Sequence, residues 1–457
     1  MSSWLVQWPQ HLENMQGTTL AVAILGSLLV LLLKPPYALA AYLATLIWYP
    51  DYLRITIGTV GISAGRIVVI VLLVRCLCDS RLREKFVWSR LDTWITVSMP
   101  VYVGIYCLTV PFGQAIANRG GFLMDTYFAY LAARLCIFDG LAMTKTIKSV
   151  AVILVPFAIL GVFEAVSGQC VYRPLLQYCP WRTEFPTYEP RWGFTRAWGS
   201  FGHPILFGDC FVIFLPLIWE LRHQKGNWGK LAYPLCGMAA IGAFSSMSSG
   251  SWSMLIAAIS CLAMEKYKRW VKPILISALL LCIMIGIVSN RPFYNVLAEK
   301  LNFGGGDWWQ RTALIDCAIE DIGKWCWVGY GDRDPGWGAK MGTQFTDVNN
   351  EFIMAGVQYG MLGVIVLCVV LITAFRGLIR AWKLSSDVKL RSMYWSMGSI
   401  LFAVIIAWMG VSFFGQMPSI FYSVLGMIGA FSGFSEHART EVNKHLAVSD
   451  VHRKVWI

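Results

Sequence analysis

The feature that most limits this chain is the recurrence, from end to end, of apolar segments near the length a helix needs to cross a bilayer, about 20 residues. They run over Thr18–Leu33, Tyr37–Tyr49, Ile57–Leu77, Trp94–Val110, Phe122–Phe138, Val150–Val166, Phe201–Leu221, Leu231–Phe244, Trp252–Met264, Pro273–Val288, Phe352–Phe375, Tyr394–Phe413 and Ile420–Phe434. Only 14% of the residues are charged and 57% are hydrophobic, whereas an ordinary soluble domain carries about 25% charge. The expectation is an all-α, polytopic integral membrane bundle of about 12–13 transmembrane helices.

Charge placement gives the topology. The net charge of +12 does not suggest nucleic acid, because the basic residues fall in short clusters between apolar segments instead of on one face. Arg75 to Arg90, Lys145 with Lys148, Arg222 to Lys230, Lys266 to Lys272 and Arg376 to Arg391 all land on one side if the segments alternate. That side is cytoplasmic by the positive-inside rule. The N-terminus then lies outside and the basic tail, with Arg439, Lys444, Arg453 and Lys454, inside. If the first two segments do not both cross, the N-terminus moves inside and the rest stands. No cleavable signal peptide is expected, since no basic stretch precedes the first apolar run. The thirteen cysteines are scattered, and most read as small buried hydrophobes. Cys170 with Cys179, and Cys317 with Cys326, fall in external loops where disulfides are permitted.

The chain divides into N-terminal helices (1–166), a first external loop (167–200), central helices (201–289), a large external loop (290–351), C-terminal helices (352–434) and an internal tail (435–457). The large loop has no run able to span, so it lies outside hydrocarbon. Within it, Trp308–Ile322 reads as an amphipathic helix with Trp308, Ala313, Ile315, Ala318 and Ile322 as its buried side.

Two stretches carry candidate chemistry. The first is R-A-W-G-S-F-G-H-P at Arg196–Pro204, where Pro204 suits the first position of a helix. The positive helix end beside Arg196 suits a phosphate; an ordinary Gly-Pro helix entry explains it equally well. The second runs from Arg311 through W-V-G-Y-G at Trp327–Gly331 to D-V-N-N-E at Asp347–Glu351. Two arginines, Arg196 and Arg311, can clamp a diphosphate by bidentate hydrogen bonds, although isolated arginines are more often structural. External aromatics, Trp198 and Trp308 among them, offer flat faces to sugars or form the interfacial belt. Asp209 sits just inside the Pro204 helix, near the external mouth, while Asp125, Arg66 and Arg134 are charges within spans that need partners.

Taken together, R-A-W-G-S-F-G-H-P, the loop arginine, W-V-G-Y-G, D-V-N-N-E-F and Gly360-Met361-Leu362-Gly363 resemble the O-antigen ligase and Wzy polymerase family. The resemblance covers Arg196 to Gly363; the flanking helices agree in number and hydropathy only. It implies an inner-membrane glycosyltransferase without metal or cofactor, working at the periplasmic face. The donor would be a glycan on undecaprenyl pyrophosphate and the acceptor a glycan or lipid, with the bilayer and polysaccharide-export components as further partners. Arg196 and Arg311 would bind the pyrophosphate. His203, Asp209, Asn350, Asp347, Trp198 and Trp308 would line the substrates, and Asn349 and Glu351 would face the acceptor hydroxyl.

The family's His-Asn is here Asn349-Asn350, and asparagine takes no proton at neutral pH. Glu351 is the first choice of base, ahead of Asp347 and His203, or a good leaving group removes the need for one; Glu351 can equally cap its helix. The usual Ser-Arg-Gly is Ser248-Ser249-Gly250, and the Asn after Gly-His-Pro is Ile205. A lipid-glycan flippase or transporter, or a non-catalytic homologue that binds the lipid-linked glycan, are the competing functions. Ligase and polymerase are not separated by these motifs.

Overall fold

A computed structural model describes residues 12–58, 60–179, 188–289, 291–300 and 308–433. The expected basic tail, and the side chain of Trp308, lie outside the described residues. What is described is a helical bundle with one two-stranded antiparallel hairpin, Arg54–Ile57 with Val60–Ser63, paired Arg54 to Ser63 through Ile57 to Val60. Every apolar segment named above is helical over most of its described length; the third starts at Ile57, the end of the first strand, passes through the second strand and turns helical at Ala64.

Seven helices are long and apolar enough to cross a membrane, and two shorter apolar ones, Ser249–Met264 and Met417–Gly433, accompany them among the described residues. The expected span at Phe122–Phe138 is a compound element: Phe112–Leu123, one π-helical turn at Met124–Phe128, and Ala129–Cys136. Such turns insert a residue into the helical ladder and re-aim side chains, often at functional sites.

The helices differ in what surrounds them. Pro204–Trp219 is hydrophobic all round and buried all round, the pattern of a central helix. Gly161 and Gly242 on neighbouring helices make room for its Phe207 and Phe211, and its own Gly208 makes room for Ser251. Val271–Val288 is just as apolar, yet none of its side chains is buried by protein. An apolar surface of that extent needs another apolar phase against it.

The large loop folds into a small lobe. Its core is Leu314, Cys317, Ala318, Trp325, Trp337, Met341 and Val348, closed against Val357. The helix Trp308–Glu320 therefore buries the face of Leu314, Cys317 and Ala318, continued by Asp321, at the i, i+3, i+4, i+7 spacing. This corrects the expected face: Ala318 is buried as anticipated, but Ile322 is exposed and Ile315 only half-buried. Trp325 sets the rotation, since its indole N–H donates to the Ala318 carbonyl (2.8 Å) and locks the lobe around that side.

Candidate functional site

The lobe docks where the long helix Glu351–Leu384 is broken. Gly360 has φ +68° and ψ −172°, so the helical ladder is interrupted and backbone groups there need other partners. The Gly-Tyr-Gly turn and the residues just before it supply them: Tyr330 N–H donates to the Val357 carbonyl (2.5 Å), and Met361 N–H donates to the Cys326 carbonyl (2.8 Å). Both backbones approach so closely that only glycine fits. A Cβ on Gly360 would lie 2.7 Å from the Trp327 carbonyl oxygen, and one on Gly329, also at positive φ, would fall on that of Val357. The motif is thus a fastening between the lobe and the bundle.

At that end of the bundle lies a cavity of about 290 Å³. Its polar walls come from distant parts of the chain: Asp51 and Arg54, Arg66, Asn118 with Arg119, Asp125, and Glu351. Tyr102, Tyr359, Trp408 and Tyr422 supply its aromatic walls. Two of the three arginines are neutralised within the wall. Arg54 pairs with Asp51 at 2.9 Å and Arg66 with Asp125 at 2.6 Å. Asp51 consequently has a lowered pKa: burial opposes ionisation, but Arg54 and Arg66 outweigh it.

The residues expected from the sequence are joined by a segment not singled out there, Gly410–Gln416. Arg311 packs its guanidinium on Gly410, close enough that a Cβ there would meet Nη1 at 2.9 Å. Phe413 N–H donates to Glu351 Oε2 (2.8 Å), and the Ser412 hydroxyl donates to the Val348 carbonyl (3.0 Å). Phe414 lies edge-on to His203 at 6.5 Å. Gln416 donates through Nε2 to the Ser200 carbonyl (3.2 Å). Arg196 stands over the Tyr188 ring at 5.4 Å, and that ring meets His203 at 5.0 Å and Trp198 at 5.1 Å. Arg311 therefore packs on this segment, whereas Arg196 meets Tyr188, whose ring neighbours His203; neither arginine lines the cavity, and Glu351 does.

Other expected residues are given structural work. Asn350 is buried and is the N-cap of the long helix, accepting from Phe352 N–H (3.0 Å) and Ile353 N–H (3.1 Å) while its amide donates to the Met409 carbonyl (3.4 Å). His203 is likewise an N-cap: Nδ1 accepts from Ile205 N–H (3.2 Å). Trp198 is buried in a cluster with Leu176 and Cys179, so it offers no face to a sugar. Asp209 is completely buried in the central helix and lines no part of the cavity. Asn349 is half-buried, with an amide oxygen that finds no hydrogen bond. Asp347 is exposed, yet desolvation by its surroundings raises its pKa. Among the other loop aromatics, Trp325 and Trp337 are lobe core, whereas Trp192, Trp309 and Trp327 are exposed. The four loop cysteines carry free thiols.

Arg134 and Arg66, the charges within spans that need partners, both have carboxylate partners. Arg119, Arg54 and Asp51 went unnoticed. The signal was available in the topology: the stretches between apolar segments that hold Arg54 and Arg119 fall on the side opposite the lysine-rich clusters, where short loops carry few basic residues. Compared with known protein families and with curated proteins, the chain matches none.

Proposed function

We propose that the chain is a multi-pass membrane glycosyltransferase of the O-antigen ligase and polymerase type. It would move a glycan from undecaprenyl pyrophosphate to an acceptor hydroxyl at the periplasmic face of a bacterial inner membrane, in surface-polysaccharide synthesis. The supporting observation is the convergence on Gly410–Gln416, which contacts Arg311, Glu351 and His203 and borders the cavity through Phe413 and Gly415. The bare apolar helix Val271–Val288 supports the bilayer setting. The cavity and lobe share the end of the bundle away from the basic clusters, which agrees with an external site.

In this reading the acceptor oxygen attacks the anomeric carbon as the bond from that carbon to the phosphate oxygen breaks. The bonding electron pair leaves on the diphosphate, and the acceptor proton passes to Glu351. Glu351 is held for that task by the Phe413 N–H on one oxygen, with its carboxyl at the cavity wall. Asn349 can orient the hydroxyl but cannot take its proton. Arg311 and Arg196 stabilise charge on the leaving diphosphate, a contribution worth about 2.7–4 kcal/mol per donor group.

The test is the chain-length profile of surface polysaccharide in a deletion strain complemented with wild type, Arg196→Ala, Arg311→Ala, Glu351→Gln and Asn349→His. Single lipid-linked repeat units in well-expressed arginine variants support a polymerase. Long polymer held on the carrier supports a ligase. Wild-type profiles from both arginine variants exclude the reading.

A further inference from the structure

Arg119 is the cavity arginine that no carboxylate neutralises. It is more than nine-tenths buried, forms no ion pair among the described residues, and its Nε has no hydrogen-bond partner. Its guanidinium lies 3.6 Å from the centre of the Tyr106 ring and donates to the Tyr359 hydroxyl. Both partners are neutral. A cation–π contact and a phenol hydrogen bond orient the group without cancelling its charge. In the same cavity wall, Arg66 shows how this fold neutralises an arginine when it does so: it donates to Asp125 from Nε (3.1 Å) and from Nη2 (2.6 Å).

The aromatic frame is itself anchored to the lobe. Asn118 donates to Asp332 Oδ2 (2.8 Å), and the Tyr106 hydroxyl donates to the same oxygen. Asp332 follows directly on the Gly-Tyr-Gly turn, so docking of the lobe fixes the ring on which Arg119 lies. A guanidinium that is desolvated, pre-oriented and set in the wall of a cavity of about 290 Å³, with no counter-charge, is a site for an anion.

We propose that Arg119 holds a phosphate group inside this cavity, across from Glu351, as the innermost contact of a diphosphate. The claim rests on the proposed function for the lipid part of the ligand only; the anion follows from the geometry. Arg119 then complements Arg311, which packs on the Gly410–Gln416 segment that borders the cavity through Phe413 and Gly415.

The experiment measures binding of inorganic diphosphate and of farnesyl diphosphate to the purified full chain in nanodiscs, with thermal melting recorded for each variant. Wild type is expected to bind both. Arg119→Gln should weaken both by roughly tenfold to a hundredfold, the value of a charge-assisted hydrogen bond. Arg119→Lys keeps the charge and loses the fork, so it folds more safely and should show a smaller loss for both. Wild-type affinity in Arg119→Lys and in a folded Arg119→Gln overturns the proposal, as does a wild type that binds neither probe. Binding of farnesyl diphosphate that ignores Arg119 but needs Arg311 overturns it and leaves the glycosyltransferase reading intact. Inorganic diphosphate held by Arg119 without competition from farnesyl diphosphate supports the anion site and removes the lipid-linked donor.

Discussion

Arg134 and Arg119 are both buried arginines packed at opposite ends of the helix Arg90–Thr109, and the fold treats them differently. Near the start of that helix, Arg134 donates from Nε to Asp92 Oδ1 (3.1 Å) and from Nη2 to Oδ2 (3.4 Å), and to the Val87 carbonyl. Asp92 also accepts from the Tyr130 hydroxyl (2.6 Å) and from Ser89 N–H (2.6 Å), closing a capping box. Charge and hydrogen-bonding capacity are both satisfied, and the pocket of about 130 Å³ at this end is lined by Ser89 and Arg90 but by neither Arg134 nor Asp92. Near its other end Tyr106 carries Arg119 with no counter-charge, beside open volume. Burial alone does not distinguish a structural arginine from a binding one. What distinguishes them is whether the fold has completed the pairing.

The largest effect should come from breaking the closed network. Arg134→Ala leaves the Asp92 carboxylate buried without its partner and should lower stability by about 3–5 kcal/mol. Arg134→Met combined with Asp92→Asn, which keeps a cap, should recover most of the loss in detergent melting curves. No such rescue is expected at the open end, where Arg119 has no acid to remove.

Next in size are the groups of the proposed transfer. Arg311→Ala should reduce turnover by roughly two to three orders of magnitude, matching about 2.7–4 kcal/mol, without shifting the melting temperature. Polysaccharide length and thermal melting on the same preparations would separate this from a folding defect. Glu351→Gln retains an acceptor for Phe413 N–H, so its effect should also appear in activity alone.

The fastening of lobe to bundle is a further point of comparison, because it governs the open end only. Gly360→Ala places a Cβ against the Trp327 carbonyl at an already left-handed φ and should cost about 1–3 kcal/mol locally. Limited proteolysis should then cut within residues 321–350 faster than in wild type, while the Arg134 network stays intact. Unchanged protection would show that the Gly-Tyr-Gly turn does not hold the lobe.

The smallest effect expected is a pH dependence of the lobe. Asp321 has a lowered pKa because Lys324 Nζ (2.8 Å) and then the Trp337 indole N–H (2.8 Å) hydrogen-bond its charged form. A depressed folded pKa gives stability that is complete above the ordinary carboxylate range and fades as pH falls through the depressed value. Tryptophan fluorescence melts should show the lobe weakening in acid, and Asp321→Asn should flatten that slope. An identical slope in the variant would place the acid sensitivity elsewhere, for example at Asp334, which is also lowered by hydrogen bonds from Thr346 and Gly336.

Much of the architecture follows from local composition. Apolar runs became helices because a low-charge, hydrophobic sequence has little else to form, and the polar excursion before Glu351 became a separate lobe for the same reason. Arg66 and Arg134 within apolar runs announced a need for partners, and each has one. The buried face of Trp308–Glu320 was misjudged because its pattern is weakly one-sided and Trp325, from the following turn, selects the side.

The sequence by itself therefore determined which segments are helices, where the polar lobe lies, and that Gly329 and Gly360 belong to short motifs. Only the tertiary structure decided which arginine is left unneutralised. Arg66 meets Asp125 across 59 residues, Arg119 meets Tyr359 across 240, and Tyr106 meets Asp332 across 226. Pairings of that separation are set by how helices pack, and no local pattern encodes them. The same packing turned Asn350 and His203 into helix caps, turned Gly410–Gln416 into the meeting point of the site, and opened the cavity between Arg119 and Glu351.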